Sequence, residues 1–206
     1  MSVLEGKVFN IYINFTEGLL GTCSADPELH DTYIASKAPD APSREQEVAA
    51  LGVEEVVEKG MTVFPRTEDG TPHLWDYQIK GFCKDACGAL WRVPKSESKK
   101  LKAYKKVIDQ LVFPQPRIIE LELPHGKQVE ELQRPLRAQT AQGERVAIAH
   151  SEMCPAGTSM HFQIRLLDPA LEKVLREWLD YGALRGIGQW RNSGMGRFEY
   201  LMEEAK

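Results

Sequence analysis

The residues best suited to chemistry lie near the C-terminus, where Arg185, Gly186, Gly188, Trp190, Arg191, Asn192, Gly194, Gly196 and Arg197 fall within thirteen positions. Glycine admits positive φ and lets another backbone come close. Successive main-chain N–H groups in such a loop form a concavity that suits an anion. Three arginines add planar, permanently charged donors matched to phosphate. Trp190, set among glycines, is either a platform on which a base stacks or an anchor into a neighbouring subunit.

Two other segments carry chemistry of the same kind. Lys80 and Lys84 stand one turn apart near the start of an expected helix, where they either hold a phosphate or form a solvated face. Residues 134–145 hold Arg134, Arg137, Gln139 and Arg145 and read as a polar loop. Such a loop either tracks a phosphate backbone and touches bases with amide groups, or is a bare hairpin tip. Candidates for catalysis are thin: His150 and His161 on expected strands, and Asp26 and Asp31 in the loop after the first strand. Cys83 and Cys87 are one turn apart, but a zinc site needs two further ligands, and no His or Cys stands nearby at a recognised spacing. No metal or cofactor is expected.

These groups need elements to position them. Residues 8–15 combine β-branched and aromatic side chains with partial alternation and predict a first strand. Residues 22–75 form a long excursion with an acidic helix expected over 44–59. Helical spacing returns over 76–93 and 98–112, where Pro114 and Pro116 end it, and 117–123 alternates as a strand. Strands are expected over 144–152 and 158–167, joined across the turn at 154–157. A helix over 169–183 opens with Asp168 as N-cap and Pro169 at its first position. The glycine loop and a last strand over 196–202 complete the chain. Reduced to its core, this is βαββαβ: an α+β, ferredoxin-like (RRM-like) antiparallel sheet with a long insertion after the first strand and a C-terminal glycine-rich loop. One domain over 1–206 is expected, with 22–75 as a thumb-like subregion.

Composition narrows the classes of function. A net charge of −4 argues against a protein coated in basic residues, yet Lys and Arg concentrate in 80–106, 134–145 and 185–197. A 42% hydrophobic content supports an ordinary core. No apolar run approaches the roughly 20 residues that span a bilayer. No secretory signal is visible and four cysteines make no disulfide framework, so a reducing cytoplasm is the expected location.

Three segments resemble one family. The glycine loop at 186–197 is similar to the C-terminal loop of the RAMP superfamily, the ferredoxin-like RNA-binding subunits of CRISPR effector and processing complexes. Residues 75–86, with the Lys80-Gly81 step, resemble that family's entry into its first helix. Residues 151–162, where Glu152 precedes Pro155 and Gly157, resemble its central hairpin. Two positions depart from the pattern: Gln78-Ile79 replaces a serine pair, and Ile187 splits a double glycine. The chain is also similar to RAMP-like proteins carried by phages and prophages of Gram-positive bacteria. The resemblance implies a non-catalytic protein that grips the backbone of single-stranded RNA and assembles with copies of itself or with RAMP-like subunits, in a CRISPR-related or mobile-element setting. Two alternatives remain open. One is an endoribonuclease of RAMP type using His150 or an early aspartate. The other is a phage anti-defence factor that binds a nucleotide signal or a CRISPR subunit.

Overall fold

A computed structural model describes residues 6–24, 61–140 and 143–205, and over 136–147 the backbone strands alone. Strand β1 (Lys7–Phe15) alternates as the sequence predicts, burying Phe9, Ile11, Ile13 and Phe15 on one face. It lies at the centre of a four-stranded sheet ordered β11 (Phe198–Glu204), β1, β10 (Ser159–Leu166), β6 (Val112–Gln115), with every neighbour antiparallel. Helix α1 (Asp76–Leu90) and helix α2 (Tyr104–Leu111) lie between β1 and β6 in the chain, and helix α3 (Glu172–Arg185) lies between β10 and β11. The chain is therefore α+β, and this sheet is antiparallel throughout.

The buried face of the sheet meets two helical stripes. Ile79, Phe82, Cys83, Ala86 and Cys87 of α1 recur at three-to-four spacing, as do Val174, Leu175, Trp178, Leu179 and Gly182 of α3. Phe82 meets Phe198 edge-on at 6.2 Å, which ties α1 to the last strand. Gln78 helps open α1 by accepting a 2.7 Å hydrogen bond from the Trp75 N–H, half of a capping box. Asp168 accepts from Ala170 N at 2.9 Å and caps a 3-10 turn (Pro169–Leu171) that leads into α3. The opposite face of the sheet carries Asn10, Tyr12, His161 and Gln163. Tyr12 and His161, directly paired across strands, stack at 4.4 Å.

A second sheet stands beside the first. Strand β9 (Gly143–Cys154) pairs with β8 (Glu130–Thr140) from Glu130–Met153 to Thr140–Gly143, forming a long ribbon. At its base β9 also pairs with β2 (Leu19–Leu20) and touches β4 (Thr62–Val63), which in turn pairs with β3 (Cys23–Ser24). The β3–β4 pair brings together the two described ends of the 22–75 excursion. The expected acidic helix at 44–59 lies outside the described residues, as do Asp26 and Asp31.

Three sequence expectations are corrected here. Residues 134–145 fall within the two strands of the β8–β9 ribbon, with only 141–142 between them, so they are no loop. Their polarity hides the ribbon, because its register comes from pairing with β9 rather than from an apolar face. Second, β9 and β10 do not pair with each other. The turn between them wraps the end of β1 instead, with Gly157 N donating to Phe15 O at 2.7 Å and Phe15 N to Thr158 O at 2.8 Å. Third, the strand expected at 117–123 is β7 (Ile118–Glu120), which pairs with β5 (His73–Trp75) outside the main sheet. The sheet position is taken by β6, whose Pro114 is tolerated because β6 is an edge strand and Pro has no N–H to offer a further neighbour.

Candidate nucleic-acid interface

The glycine loop is a closed structure whose conformation only glycine can supply at its crossing point. Gly196 has φ +70°, and a Cβ there would fall 1.9 Å from the Ile187 carbonyl oxygen. The two strands of the loop touch at that crossing: Ile187 N donates to Gly196 O at 2.9 Å, and Gly196 N donates to Gly18 O at 2.8 Å. Gly186 N donates to Gly182 O at 2.7 Å and closes the end of α3. Ile187 is buried and pins the loop to the core. Several N–H groups expected to line an anion nest are therefore engaged within the protein. The tip remains outward: Trp190 through Gly194 form a 3-10 turn entered by Trp190 at φ +53°.

The side chains of the loop spread in three directions. Arg185 donates to Asn192 Oδ1 at 2.7 Å and buttresses the tip. Arg191 reaches α1 and pairs with Asp85 at 2.5 Å. Arg197 is exposed. Between the loop and α1 runs a cleft of ≈ 210 Å³ lined by Thr22, Gln78, Gly81, Asp85, Gly188 and Arg191, among others. Gln78 donates to Thr22 Oγ1 across its floor.

Arg134 comes to the loop from the other side. It projects from the base of the ribbon, only 8% exposed, with its guanidinium 4.7 Å from the centre of the Trp190 ring and 3.4 Å from Gln189 Oε1. Its Nε and Nη1 are buried and have no hydrogen-bond partner among the described residues. Burial pushes the Arg134 pKa down.

The structure thus gathers Arg134, Arg185, Gly186, Gly188, Trp190, Arg191, Asn192, Gly194, Gly196 and Arg197 into one region. It does not bring Lys80 and Lys84 there. Lys80 donates to the Asp109 carbonyl at 3.1 Å and lies over Phe113, while Lys84 pairs with the Asp109 carboxylate at 2.6 Å. Both sit on the flank of α1 that meets α2, away from the cleft. Arg137, Gln139 and Arg145 lie on the ribbon backbone farther from its base. Glu152 is used structurally, accepting from Phe64 N at 2.8 Å and Arg66 at 2.6 Å.

Of the catalytic candidates, His161 is stacked on Tyr12 and His150 lies on β9 beside Ser151. Cys83 and Cys87 are buried in the core, and burial pushes the Cys83 thiol up to about 12. Among the described residues no cluster of three His, Cys, Asp or Glu side chains is arranged to hold a metal. No described helix is long and apolar enough to cross a membrane.

No protein-family model matches the chain, and no curated protein matches it in sequence. In structure it is similar to a chain of the cryo-EM structure of the Type III-B Cmr-beta bound to cognate target RNA. That match has a TM-score of 0.52 and 13% identity, covering 98% of this chain and 62% of the other. This chain therefore spans 62% of the length of that neighbour. A chain of a Type IV-B CRISPR complex matches with a TM-score of 0.47 and 11% identity over 95% of this chain and 90% of that one. The likeness is one of fold.

Sequence reasoning missed the cleft residues Thr22, Gln78 and Asp85, and the partner role of Gln189. Gln78 and Asp85 are seven residues apart on α1, two helical turns, which is the one signal that could have placed them on a shared face. It also missed the Tyr12–His161 stack on the open sheet. That face holds a groove of ≈ 540 Å³, but Glu122 and Glu199 flank it, which disfavours a polyanion there.

Proposed function

We propose that this protein is a non-catalytic, RAMP-like RNA-binding protein of a CRISPR-related or mobile-element setting. On this reading the four-stranded sheet, with its order β11-β1-β10-β6 and its helices on the two crossovers, is the ferredoxin-like core. The β8–β9 ribbon and the 22–75 insertion are appendages of a single domain, and the insertion acts as a thumb. The glycine loop grips the phosphate backbone of single-stranded RNA with little sequence preference. Self-association along RNA, head to tail, follows from the same reading.

One observation carries it. Arg134 of the ribbon lies against Trp190, the only large exposed apolar side chain of a loop that itself carries Arg191 and Arg197 and follows directly on Arg185. Cations beside an accessible indole are what single-stranded nucleic acid requires. The pairing of Arg191 with Asp85 gives a test with a sign. Asp85→Asn releases Arg191 and should tighten binding of a single-stranded RNA oligomer, while Arg191→Ala with Arg197→Ala should weaken it and flatten its salt dependence. Fluorescence anisotropy at several salt concentrations reads both. Unchanged affinity in the double variant removes the loop from the interface.

The narrow cleft beside Asp85 favours a second reading, a small phosphorylated ligand bound by an anti-defence factor. Affinity that does not grow with RNA length would select it.

A further inference from the structure

Arg134 is an anomaly in its surroundings. A guanidinium carries five N–H donors and keeps its charge, and leaving such a group buried without acceptors is costly. Here Nη2 meets Gln189 at a long 3.4 Å, while Nε and Nη1 meet no acceptor among the described residues. Against it lies the indole of Trp190, with the ring centre 4.7 Å from the guanidinium carbon. Trp190 is itself held in left-handed backbone at φ +53°, a conformation that a bulky side chain adopts only under constraint. It is also 38% exposed, so its outer face is open to solvent. A cation–π contact at a partly exposed ring is worth less than the charge-assisted hydrogen bonds the guanidinium lacks. The covered arrangement therefore leaves binding capacity unused.

We propose that Arg134 is a concealed phosphate-binding residue and Trp190 its movable cover. Entry of a phosphoryl group moves the indole off the guanidinium, and Nε together with Nη2, which gives up its long contact to Gln189, then takes the anion in a side-on fork. The displaced ring becomes free to stack on a base. The ribbon base and the glycine loop are brought into register by the ligand itself. This rests on the reading of the loop as a phosphate-binding interface, and it adds a residue whose charge is hidden until the ligand arrives.

The test uses the full-length protein with two probes, an abasic phosphodiester oligomer and inorganic pyrophosphate. Neither has a base to stack, so loss of the indole should not weaken them. Trp190→Ala is expected to bind both probes at least as tightly as the wild type. In that background Arg134→Gln should remove one phosphate contact. The change in oligomer affinity between 50 and 200 mM salt then shrinks by about 2.6-fold, from a slope of about 0.7 per contact. In ¹⁵N-labelled protein, the Arg134 Nε–H resonance, assigned by its loss in Arg134→Lys, should start displaced by the indole ring and move on titration with pyrophosphate.

Weaker binding of both probes by Trp190→Ala would overturn the cover. So would an Arg134 resonance that stays fixed as pyrophosphate saturates the protein. Failure of the wild type to bind RNA, with the resonance still shifting in pyrophosphate, would remove the polymer reading and keep the phosphate site. Normal RNA binding with a silent Arg134 would do the reverse. Affinity rising with oligomer length assigns the phosphate to a polymer backbone, and equal affinity at all lengths assigns it to a small ligand. Both results uphold Arg134.

Discussion

Replacing Gly196 by Ala tests whether the crossing point holds the loop shut. The new Cβ would lie 1.9 Å from Ile187 O and 3.1 Å from Ile187 N, both backbone atoms of a buried residue. Neither neighbour is the far end of a side chain, so relief requires the two loop strands to part. Left-handed backbone at an alanine costs about 1 kcal/mol. Parting removes the Ile187–Gly196 and Gly196–Gly18 hydrogen bonds, about 1 kcal/mol each. Unseating Ile187 adds up to about 2 kcal/mol. The expected loss is about 3–5 kcal/mol, levelling off at the docking free energy of the loop if the loop detaches before the domain unfolds. Gly70→Ala is the control: φ is +86° there, and an added Cβ meets nothing within 4 Å, so strain alone acts, about 1 kcal/mol. Urea unfolding of both variants gives the comparison, and RNA affinity of the Gly196 variant should fall at least tenfold by the same detachment. Equal destabilisation of the two variants would refute the claim that the crossing is sterically closed.

Two further expectations concern the core and its pH response. The Glu177 carboxylate accepts from Glu97 N at 2.8 Å, Ser98 N at 2.9 Å and Ser98 Oγ at 2.6 Å, and Ser98 Oγ in turn accepts from the buried Trp178 Nε1. Glu177→Gln turns one acceptor into a donor facing N–H groups and should lower unfolding stability by about 1–3 kcal/mol, measured in urea. Burial holds the pKa of His73 below its ordinary 6.5. Above 6.5 both folded and unfolded chains carry it neutral; as pH falls below 6.5, the unfolded chain takes up a proton that the folded chain resists. Stability should therefore decline between pH 6.5 and the lower folded value, and His73→Phe should reduce that slope in thermal unfolding.

How much of this was legible in the sequence depends on where each element finds its partner. Strand β1 and helix α3 were readable because their apolar spacing records one buried face each, Phe9 to Phe15 and Val174 to Leu179. Strand β9 was expected over 144–152, but its ribbon partner β8 was not, since Pro135 and its polar neighbours show no alternation and their pairing with β9 is a property of the backbone. The glycine loop announced itself through residue type, but not the directions its arginines take, Arg185 to Asn192 and Arg191 to Asp85. Lys80 and Lys84 misled because charge at a helix start says nothing about what lies opposite; α2 folds back and places Asp109 against both. The concealment of Arg134 depends on a contact between residues 56 positions apart in the chain, and no local pattern encodes it.

Two helical glycines separate what packing requires from what a ligand requires. Gly182 sits where α3 meets α1 and β11, and a Cβ there would fall 2.4 Å from Phe82 Cζ and 2.7 Å from Phe198 Cζ. Alanine gains about 1 kcal/mol in helix propensity, but overpacking this aromatic contact costs about 1–3 kcal/mol, so Gly182→Ala should destabilise on balance. Gly81 is the opposite case. It lies within α1 with ordinary helical φ, and a Cβ there meets nothing within 4 Å, so neither backbone nor packing demands glycine. Its alanine variant should be more stable by about 0.5–1 kcal/mol. Yet Gly81 lines the cleft between α1 and the glycine loop, where a methyl group would stand in the path of a ligand backbone. A variant that unfolds at higher urea and binds RNA less well would show that Gly81 keeps the cleft open at the expense of the helix. Higher stability with unchanged binding would place the RNA outside the cleft, on the Trp190 side of the loop.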